Sequence, residues 1–385
     1  MEKRICVVTS TRADYGILKP LMEKINQKCI LQLVVIGMHL SEKYGLTYKE
    51  IENDGFKISK KIFLDLDSDD CKNLVKQMGI EMMELGEIFD DLKPDLLIVL
   101  GDRYEILVVA QAATIFRIPI AHLCGGDITE GAYDDCIRHA ITKMSHIHFV
   151  TNEISKQNVI QMGENPKIVF DFGHVGLEDF SNFVPISKNT LENTLDIKFN
   201  KFNFVILYHP ETVNGLDKEN LEEIIKTLNH YNNNEHSFFM IGSNSDNNNN
   251  IINNTFINYG KNNPHVFFFK SLPRNLFLSL VHHCDVFIGN SSSGIYEVPF
   301  LEKPTINIGN RQQNRLQPKS VINTESNMEK IIINIEEAKK MNFKNIKKVY
   351  LIQDTSSKIL DCLLSIKNFD CLLRKTFKQI QFNTE

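Results

Sequence analysis

The sequence has no tryptophan, only 11 prolines, and no Cys-x-x-Cys pair among its eight cysteines. Scattered thiols exclude a disulfide framework or a standard zinc spacing and read as reduced thiols of a cytoplasmic protein. No stretch approaches the ~18 apolar residues that a membrane span needs. The apolar run before Arg12 and Asp14 is too short for a signal sequence and reads as a buried first strand. Positive charge is also scarce: Lys+Arg 43 against Asp+Glu 48 leaves a net charge of −5. That balance excludes a general nucleic-acid binder or a polybasic membrane-surface protein, both of which need clustered cations. It does not exclude an anionic small ligand, because a local pocket is able to be positive on a negative protein.

What is present is the mix of a soluble globular chain, 42% hydrophobic and 24% charged over 385 residues. That length suits two domains of roughly 150–200 residues. Short apolar runs alternate with amphipathic stretches. Arg4–Thr9, Leu31–Ile36, Asp95–Leu100, Ile118–Leu123 and His146–Val150 read as strands, with helices over Ile17–Lys28, Leu74–Leu92 and Tyr104–Ile115. The pattern repeats with strands at Phe204–Tyr208, Ser237–Ile241, Val266–Phe269, Asp285–Ile288 and Thr305–Ile308. Helices are expected there at Asn220–Tyr231 and Asn275–His283. Continuous apolar strands separated by helices signal parallel sheets covered on both faces. The expected fold is α/β, with two Rossmann-like doubly wound domains and a cleft between them. The spans are 1–175, 176–355 and a C-terminal stretch 356–385, whose helix Ser356–Ile366 turns Ile359, Leu360, Leu363 and Leu364 inward. The asparagine-rich patches Asn247–Asn250 and Asn253–Asn254 read as solvated surface. The helix Leu74–Leu92, with Met78, Met82, Met83 and Phe89, is either core or a subunit interface.

In open parallel sheets ligands bind beyond the carboxyl ends of the strands, so the loops there carry the functional reading. After the first strand, Thr9–Gly16 opens a helix, and Arg12 beside the free N–H groups suits a phosphate. After Asp95–Leu100 comes Gly101-Asp102-Arg103, where Asp102 either faces a ligand or caps the next helix. The stretch His122–His139 holds paired glycines that permit close backbone approach. It also concentrates Asp127, Glu130, Asp134, Asp135 and Arg138, with His139 adjacent. Asp134, Arg138 and His139 are spaced to share one helix face. In the second half, His209 follows a strand, and Gly289-Asn290-Ser291-Ser292-Ser293-Gly294 forms a nest of N–H groups and hydroxyls at a helix start, suited to a diphosphate. Glu297 one turn in suits ribose hydroxyls, and Arg311 and Arg315 suit countercharge. Together these features fit a nucleotide-sugar, with the nucleotide in the C-terminal half and the sugar presented to the acids and bases of the N-terminal half.

The runs TSTRADYGILKPL, VIGMHLSEKYGLTYKEI, VLGDRYE, GAYDDCIRHAITKMSHIHF, HPET, IGNSSSGIYEVP and NIGNRQQNR resemble the hydrolysing UDP-N-acetylglucosamine 2-epimerases of bacterial sialic-acid biosynthesis. They occur in one order over residues 5–315. The resemblance implies the GT-B architecture, a UDP-sugar substrate, no cofactor, no metal, and a homodimer or homotetramer. It also implies that Arg12, Asp14, His39, Arg103, His209, Ser243, Arg274, Ser291, Ser292, Glu297 and Arg311 surround the substrate. Asp102, Asp134, Arg138 and His139 lie at the reacting centre. One position departs from the pattern. Many members carry a Glu two residues after the His of the His-x-x-Gly-Gly stretch, and here that residue is Cys124. Asp127, Glu130 and His122 are the candidates for its role.

The implied reaction takes UDP-N-acetylglucosamine and water to N-acetylmannosamine and UDP through a 2-acetamidoglucal. Relatives that act on 2,4-diacetamido-trideoxy sugars give a second reading. A non-hydrolysing epimerase, a GT-B glycosyltransferase and a silent nucleotide-sugar sensor are further alternatives, separated by whether free sugar and UDP are released without an acceptor.

Overall fold

A computed structural model of the chain describes residues 2–379 apart from Asp69, Gly131, 212–217 and 244–248. Gly131 of the glycine-bearing loop, Thr212 of the HPET run, and Asn247 and Asn248 of the asparagine patch therefore lie outside the described residues. The chain divides into two units. One comprises Met1–Asp127, Tyr133–Ser181 and Tyr350–Glu385, and the other Ile128–Ala132 and Asn182–Val349.

The first unit is built on seven strands: β1 (Arg4–Thr9), β2 (Ile30–Ile36), β3 (Ile58–Ile62), β4 (Leu96–Leu100), β5 (Ile120–Leu123), β6 (Ile147–Val150) and β7 (Val169–Asp171). Their order is β3-β2-β1-β4-β5-β6-β7, and every pairing is parallel. The central strands are apolar on both faces because helices cover both. Ile5, Val7, Leu33 and Ile98 pack on one side with Leu18 and Leu21 of the helix Arg12–Lys28. Cys6, Val8, Val34 and Leu97 pack on the other with Leu85 and Phe89 of the helix Cys71–Leu92. That second helix is thus core through Phe89, while Met83 on its outer side is 71% exposed. The chain returns to this unit at its C-terminus. Ile359, Leu360 and Leu363 of the helix Thr355–Ser365 join the same core as Ile5 and Leu18, and Leu364, expected inward, is only partly buried.

The second unit repeats the plan with β8 (Phe202–Leu207), β9 (His236–Ile241), β10 (Val266–Phe269), β11 (Val286–Gly289), β12 (Thr305–Ile308) and β13 (Val321–Thr324). The order is β10-β9-β8-β11-β12-β13, again all parallel. Each sheet reverses its winding once, between β1 and β4 in the first unit and between β8 and β11 in the second. A crevice opens outside the strand ends at such a reversal, and ligands of doubly wound folds bind there. Gly289 secures the second reversal. Its φ is 142°, and a Cβ there would lie 2.0 Å from the Leu207 carbonyl oxygen, so no larger residue lets β11 pass so close to β8.

The strands that the sequence pattern does not reveal are β3, β7 and β13. All are short edge strands with mixed exposure, such as Ile58-Ser59-Lys60-Lys61-Ile62, so their apolar signal is diluted. No helix among the described residues is long and apolar enough to cross a membrane.

Candidate active site

In the first unit the loops after β1 and β4 flank the winding reversal. The helix after β1 begins at Arg12, a turn and a half earlier than its apolar periodicity suggests, because Thr11 and Asp14 cap it reciprocally. The Thr11 hydroxyl accepts from the Asp14 N–H, and the Asp14 carboxylate accepts from the Thr11 N–H at 3.1 Å and from the Ser10 hydroxyl at 2.9 Å. Asp14 therefore anchors the loop. Removal from water raises its carboxyl above the ordinary value, against the pull of the nearby Arg103 guanidinium. Arg12 donates from Nε to Glu50 at 2.8 Å. His39 is wholly buried, with Nε2 3.0 Å from the Thr9 hydroxyl and Nδ1 2.7 Å from the Thr47 hydroxyl. Burial first, then the Arg12 charge, lower its pKa to about 3, so it is neutral.

Asp102 does not cap the helix Tyr104–Ile115. Arg103 occupies the cap position without a side-chain cap, and the Asp102 carboxylate pairs with the Arg138 guanidinium. The purely capping reading of Asp102 is therefore set aside. Arg138 is 2% exposed and also donates to the Asp127 carbonyl at 2.8 Å, with Asp135 at 3.5 Å. A buried guanidinium with several oxygen partners fixes the Asp102 carboxylate, itself partly open. Asp134 and Arg138 are both buried on the inner face of the helix Asp134–Met144. His139 turns off that face toward Asp135, 3.5 Å away. Arg103 lies across the loop, gripped by Glu105 through Nε and one terminal nitrogen, each at 3.1 Å.

The candidates for the role of the Glu replaced by Cys124 have other duties. His122 is fully buried on β5. Its Nε2 is 2.8 Å from the Gly101 carbonyl and its Nδ1 3.2 Å from the Thr142 hydroxyl, and burial lowers its pKa to about 3. The Asp127 carboxylate accepts from Ser155 at 2.5 Å and Thr151 at 3.2 Å. Glu130 accepts from the Asn314 amide. The paired glycines also serve the fold: a Cβ on Gly126, at φ 80°, would lie 2.2 Å from the Ser155 carbonyl. Gly126 is thus required for packing against the helix Glu153–Gln161, while a Cβ on Gly125 would lie 2.9 Å from the His122 ring and 3.1 Å from the Thr142 hydroxyl, so ligand approach is not needed to explain either. Cys124 takes φ 62° in this same turn.

In the second unit the reversal is closed by a reciprocal amide clasp. The His209 N–H donates to the Asn290 side chain at 2.7 Å, and the Asn290 amide donates to the His209 carbonyl at 2.9 Å. The loops after β8 and β11 are thereby locked together. His209 Nδ1 lies 3.0 Å from the Ser243 hydroxyl, which holds its ring at the reversal. The Ser243 N–H donates to Asn253 at 2.9 Å, and Asn249 is fully buried. The asparagine patch is thus partly structural and not merely solvated, and its spacing gave no sign of this. Arg311 at 3.2 Å and Gln312 at 2.8 Å donate to the Asn290 carbonyl. Ser291 and Ser292 precede a helix, as expected, but one of only four residues, Ser293–Tyr296, so the N–H groups and hydroxyls act locally. Glu297 pairs with Arg274. Arg315 does not join Arg311. It donates to the Ile128 carbonyl at 2.7 Å and the Thr129 hydroxyl at 2.5 Å, with its guanidinium over the Tyr296 ring.

Among the described residues no group of three or more His, Cys, Asp or Glu side chains is arranged to hold a metal ion.

The chain is similar to known proteins along most of its length. The family model described as UDP-N-acetylglucosamine 2-epimerase matches residues 23–364. The chain is 40% identical over 382 residues to a GDP/UDP-N,N'-diacetylbacillosamine 2-epimerase (hydrolyzing) of Campylobacter jejuni, covering 98% of this chain and 99% of that one. It is 35% identical to the polysialic acid biosynthesis protein P7 of Escherichia coli, over 88% of this chain and 87% of that protein. Its fold matches the crystal structure of the Neisseria meningitidis UDP-GlcNAc 2-epimerase bound to UDP-GlcNAc with a TM-score of 0.78, at 18% identity, over 94% of this chain and 100% of the other. The two Rossmann-like units are those of the GT-B architecture. On a family match across most of its length and a full-length relative at this identity, the chain belongs to the UDP-N-acetylglucosamine 2-epimerase family.

Proposed function

We propose that this enzyme is a hydrolysing 2-epimerase of a nucleotide-linked 2-acetamido sugar, and that the sugar is a 2,4-diacetamido-trideoxy hexose of the diacetylbacillosamine type. The observation that carries the sugar assignment is the 40% identity over 98% of the chain to a relative named for that substrate, against 35% over 88% for the polysialic acid protein. The sequence runs GDRYE and HPET favour the second reading, UDP-N-acetylglucosamine converted to N-acetylmannosamine for sialic-acid biosynthesis. Both readings share one mechanism.

The C2 proton of the sugar is not acidic by itself. As the C1–O bond to the diphosphate breaks, the electron pair leaves with the nucleotide and C1 becomes oxocarbenium-like. The neighbouring C2–H is then acidified, a carboxylate takes its proton, and the C1–C2 double bond forms. Water next adds its hydroxyl to C1 while C2 receives a proton on the opposite face, which inverts C2 and releases a free sugar. Such a sequence needs proton-transfer groups on both ring faces and donors on the leaving diphosphate. Asp102, fixed by Arg138, and Asp134 on the same helix as Arg138 supply the first need. Arg12 and Arg103 of the first unit, and the Ser291–Ser292 loop with Arg311 of the second, supply the second. His209, Ser243, Arg274 and Glu297 complete the nucleotide subsite. No cofactor is called for, and the enzyme acts in the cytoplasm as a homodimer or homotetramer.

The test is incubation with UDP-diacetylbacillosamine and with UDP-N-acetylglucosamine in deuterated water, products being identified by NMR. Free 2-epimeric sugar, UDP, and deuterium at C2 are expected, with faster turnover of the diacetamido substrate. Faster turnover of UDP-N-acetylglucosamine selects the second reading, and product without solvent deuterium removes the mechanism.

A further inference from the structure

The helix that carries Asp134 and Arg138 is held at its carboxyl end by a residue from the far end of the chain. A helix leaves its last four carbonyls without partners of its own. In the helix Asp134–Met144 the Ser145 N–H meets two of them, Ile141 at 2.9 Å and Thr142 at 3.2 Å. The Lys143 carbonyl is met from outside. Lys375 Nζ donates to it at 2.7 Å and to the Ser145 carbonyl at 2.5 Å. A cation on these carbonyls also complements the negative end of the helix dipole. Glu164, 1% exposed, accepts from the same ammonium at 3.0 Å and from Lys143 at 2.6 Å, with His148 Nε2 at 3.2 Å. Three residues further on, the Lys378 N–H donates to the Gly163 carbonyl at 2.8 Å. The Phe377 ring lies on Gly163, where a Cβ would come within 2.3 Å of it, and the Lys143 ammonium stands 5.2 Å from the centre of that ring. All these residues belong to the first unit.

We propose that Lys375 is a positioning residue for the epimerase reaction: it caps the carboxyl end of the helix Asp134–Met144 and so sets Asp134 and Arg138 at the other end, with Glu164 as its counter-ion. The inference rests on the reading of Asp102 and Asp134 as proton-transfer groups and deepens it. Ile137 and Ile141 hold this helix on the core, but apolar contacts are non-directional and leave its axial position to polar ones. Those act at both ends. Arg138 grips Asp102 and the Asp127 carbonyl near the start, and Lys375 grips the finish. A helix of 11 residues is a rod about 16 Å long, so a slide or tilt at one end reaches the other. A misplacement of about 1 Å at reacting groups costs on the order of 10²-fold in rate. Lys375 touches no reacting group and acts only through this helix.

The test compares Lys375→Met, which keeps the stem and removes the ammonium, with Lys375→Arg, which restores a donating cation. Turnover is read with saturating nucleotide-sugar and affinity by calorimetric titration with UDP, both well below each variant's melting temperature. Lys375→Met should lower kcat about ten-fold or more while the UDP Kd stays within about two-fold of wild type. Lys375→Arg should bring kcat back to within about three-fold of wild type. A merely structural Lys375 would lower the melting temperature and leave the kcat of the folded protein unchanged, which overturns the proposal. An arginine that recovers stability without recovering turnover overturns it as well. If Lys375→Met does not fold, Phe377→Ala decides. That ring is 70% exposed, so its loss leaves the core intact and loosens only the seat of Lys375. A fall in kcat of about three-fold is then expected, and an unchanged kcat overturns the proposal. Near-normal turnover in Asp134→Asn removes the reading beneath the inference, whereas unchanged turnover in Lys375→Met beside an inactive Asp134→Asn removes the inference alone.

Discussion

The two winding reversals are topologically alike and chemically opposite. The one between β1 and β4 is surrounded by ionisable groups: Asp14, Asp102, Arg103, Glu105, Asp134 and Arg138, most of them buried. The one between β8 and β11 is closed mainly by neutral amides and hydroxyls, Asn290, Ser291, Ser243 and Gln312, with His209 between them and the Arg311 guanidinium on the Asn290 carbonyl. A repeated fold therefore places a crevice twice, and side chains decide its use. Neutral donors hold a diphosphate without a large desolvation cost, whereas moving protons on carbon needs charged groups whose partners are fixed.

The sharpest way to break this contrast is to neutralise the carboxylates of the first unit. Asp102→Asn and Asp134→Asn should each lower turnover by roughly 10³-fold, in the range for loss of a proton-transfer group, with UDP affinity within about three-fold of wild type. Steady-state assays beside UDP titrations read the two numbers, and near-normal turnover in either variant removes that residue from the chemistry. In the second unit the corresponding cut is Asn290→Ala. It deletes both arms of the clasp and leaves the His209 N–H and carbonyl buried without their partner, costing about 2–3 kcal/mol. A lower melting temperature and weaker UDP binding are expected together, with the residual turnover of nucleotide-saturated enzyme little changed. Loss of turnover at saturating substrate would mean that the second unit does more than bind.

How far these regions were legible in the sequence follows the same division. Strand ends and their polar loops stand out because buried parallel strands are continuous apolar runs, and β1, β10 and β12 fall on the residues the runs indicate. The shared helix face of Asp134 and Arg138 follows from spacing, whereas His139, expected on that face, turns toward Asp135. Partner choice does not follow from spacing. Asp102 reads equally as a ligand-facing residue or a helix cap, and only the fold sets Arg138 against it; Arg315 reads like Arg311, yet its guanidinium lies on Ile128 and Thr129. Gly126 reads as a ligand-approach glycine, but the Ser155 carbonyl explains it. Long-range contacts of single polar side chains leave no periodic trace, which is also why Asn253 reads as solvated surface although it accepts from the Ser243 N–H.

Acid acts most strongly on the first unit. His39 and His122, each with a pKa near 3, and His146, near 4, all lie in the first unit. Each is neutral when folded and accepts a proton below about pH 6.5 only when unfolded. Their contribution is therefore complete above pH 6.5 and is lost progressively as pH falls toward 3–4. At pH 5 that amounts to about 2 kcal/mol for each histidine. Thermal melts at pH 7.5 and pH 5 should show a marked fall, reduced in His146→Gln. Equal melting temperatures at the two pH values would contradict the buried neutral state of these rings.

The smallest expected effect is at Cys124, where the family pattern places a carboxylate. The residue takes a left-handed backbone conformation, φ 62°, at the end of β5, beside His122 and the Gly125-Gly126 turn. Removing the thiol by Cys124→Ala keeps the backbone requirement and the volume nearly unchanged, so turnover should stay within about three-fold of wild type if Asp102 and Asp134 share the proton transfers, an energy difference under about 1 kcal/mol. A fall of a hundred-fold would instead make the sulfur the acid or base that replaces the missing carboxylate. Cys124→Glu then gives the complementary reading: a gain in turnover would show that the first unit is able to use a carboxylate at this turn, and a loss would show that the turn does not accommodate the larger side chain.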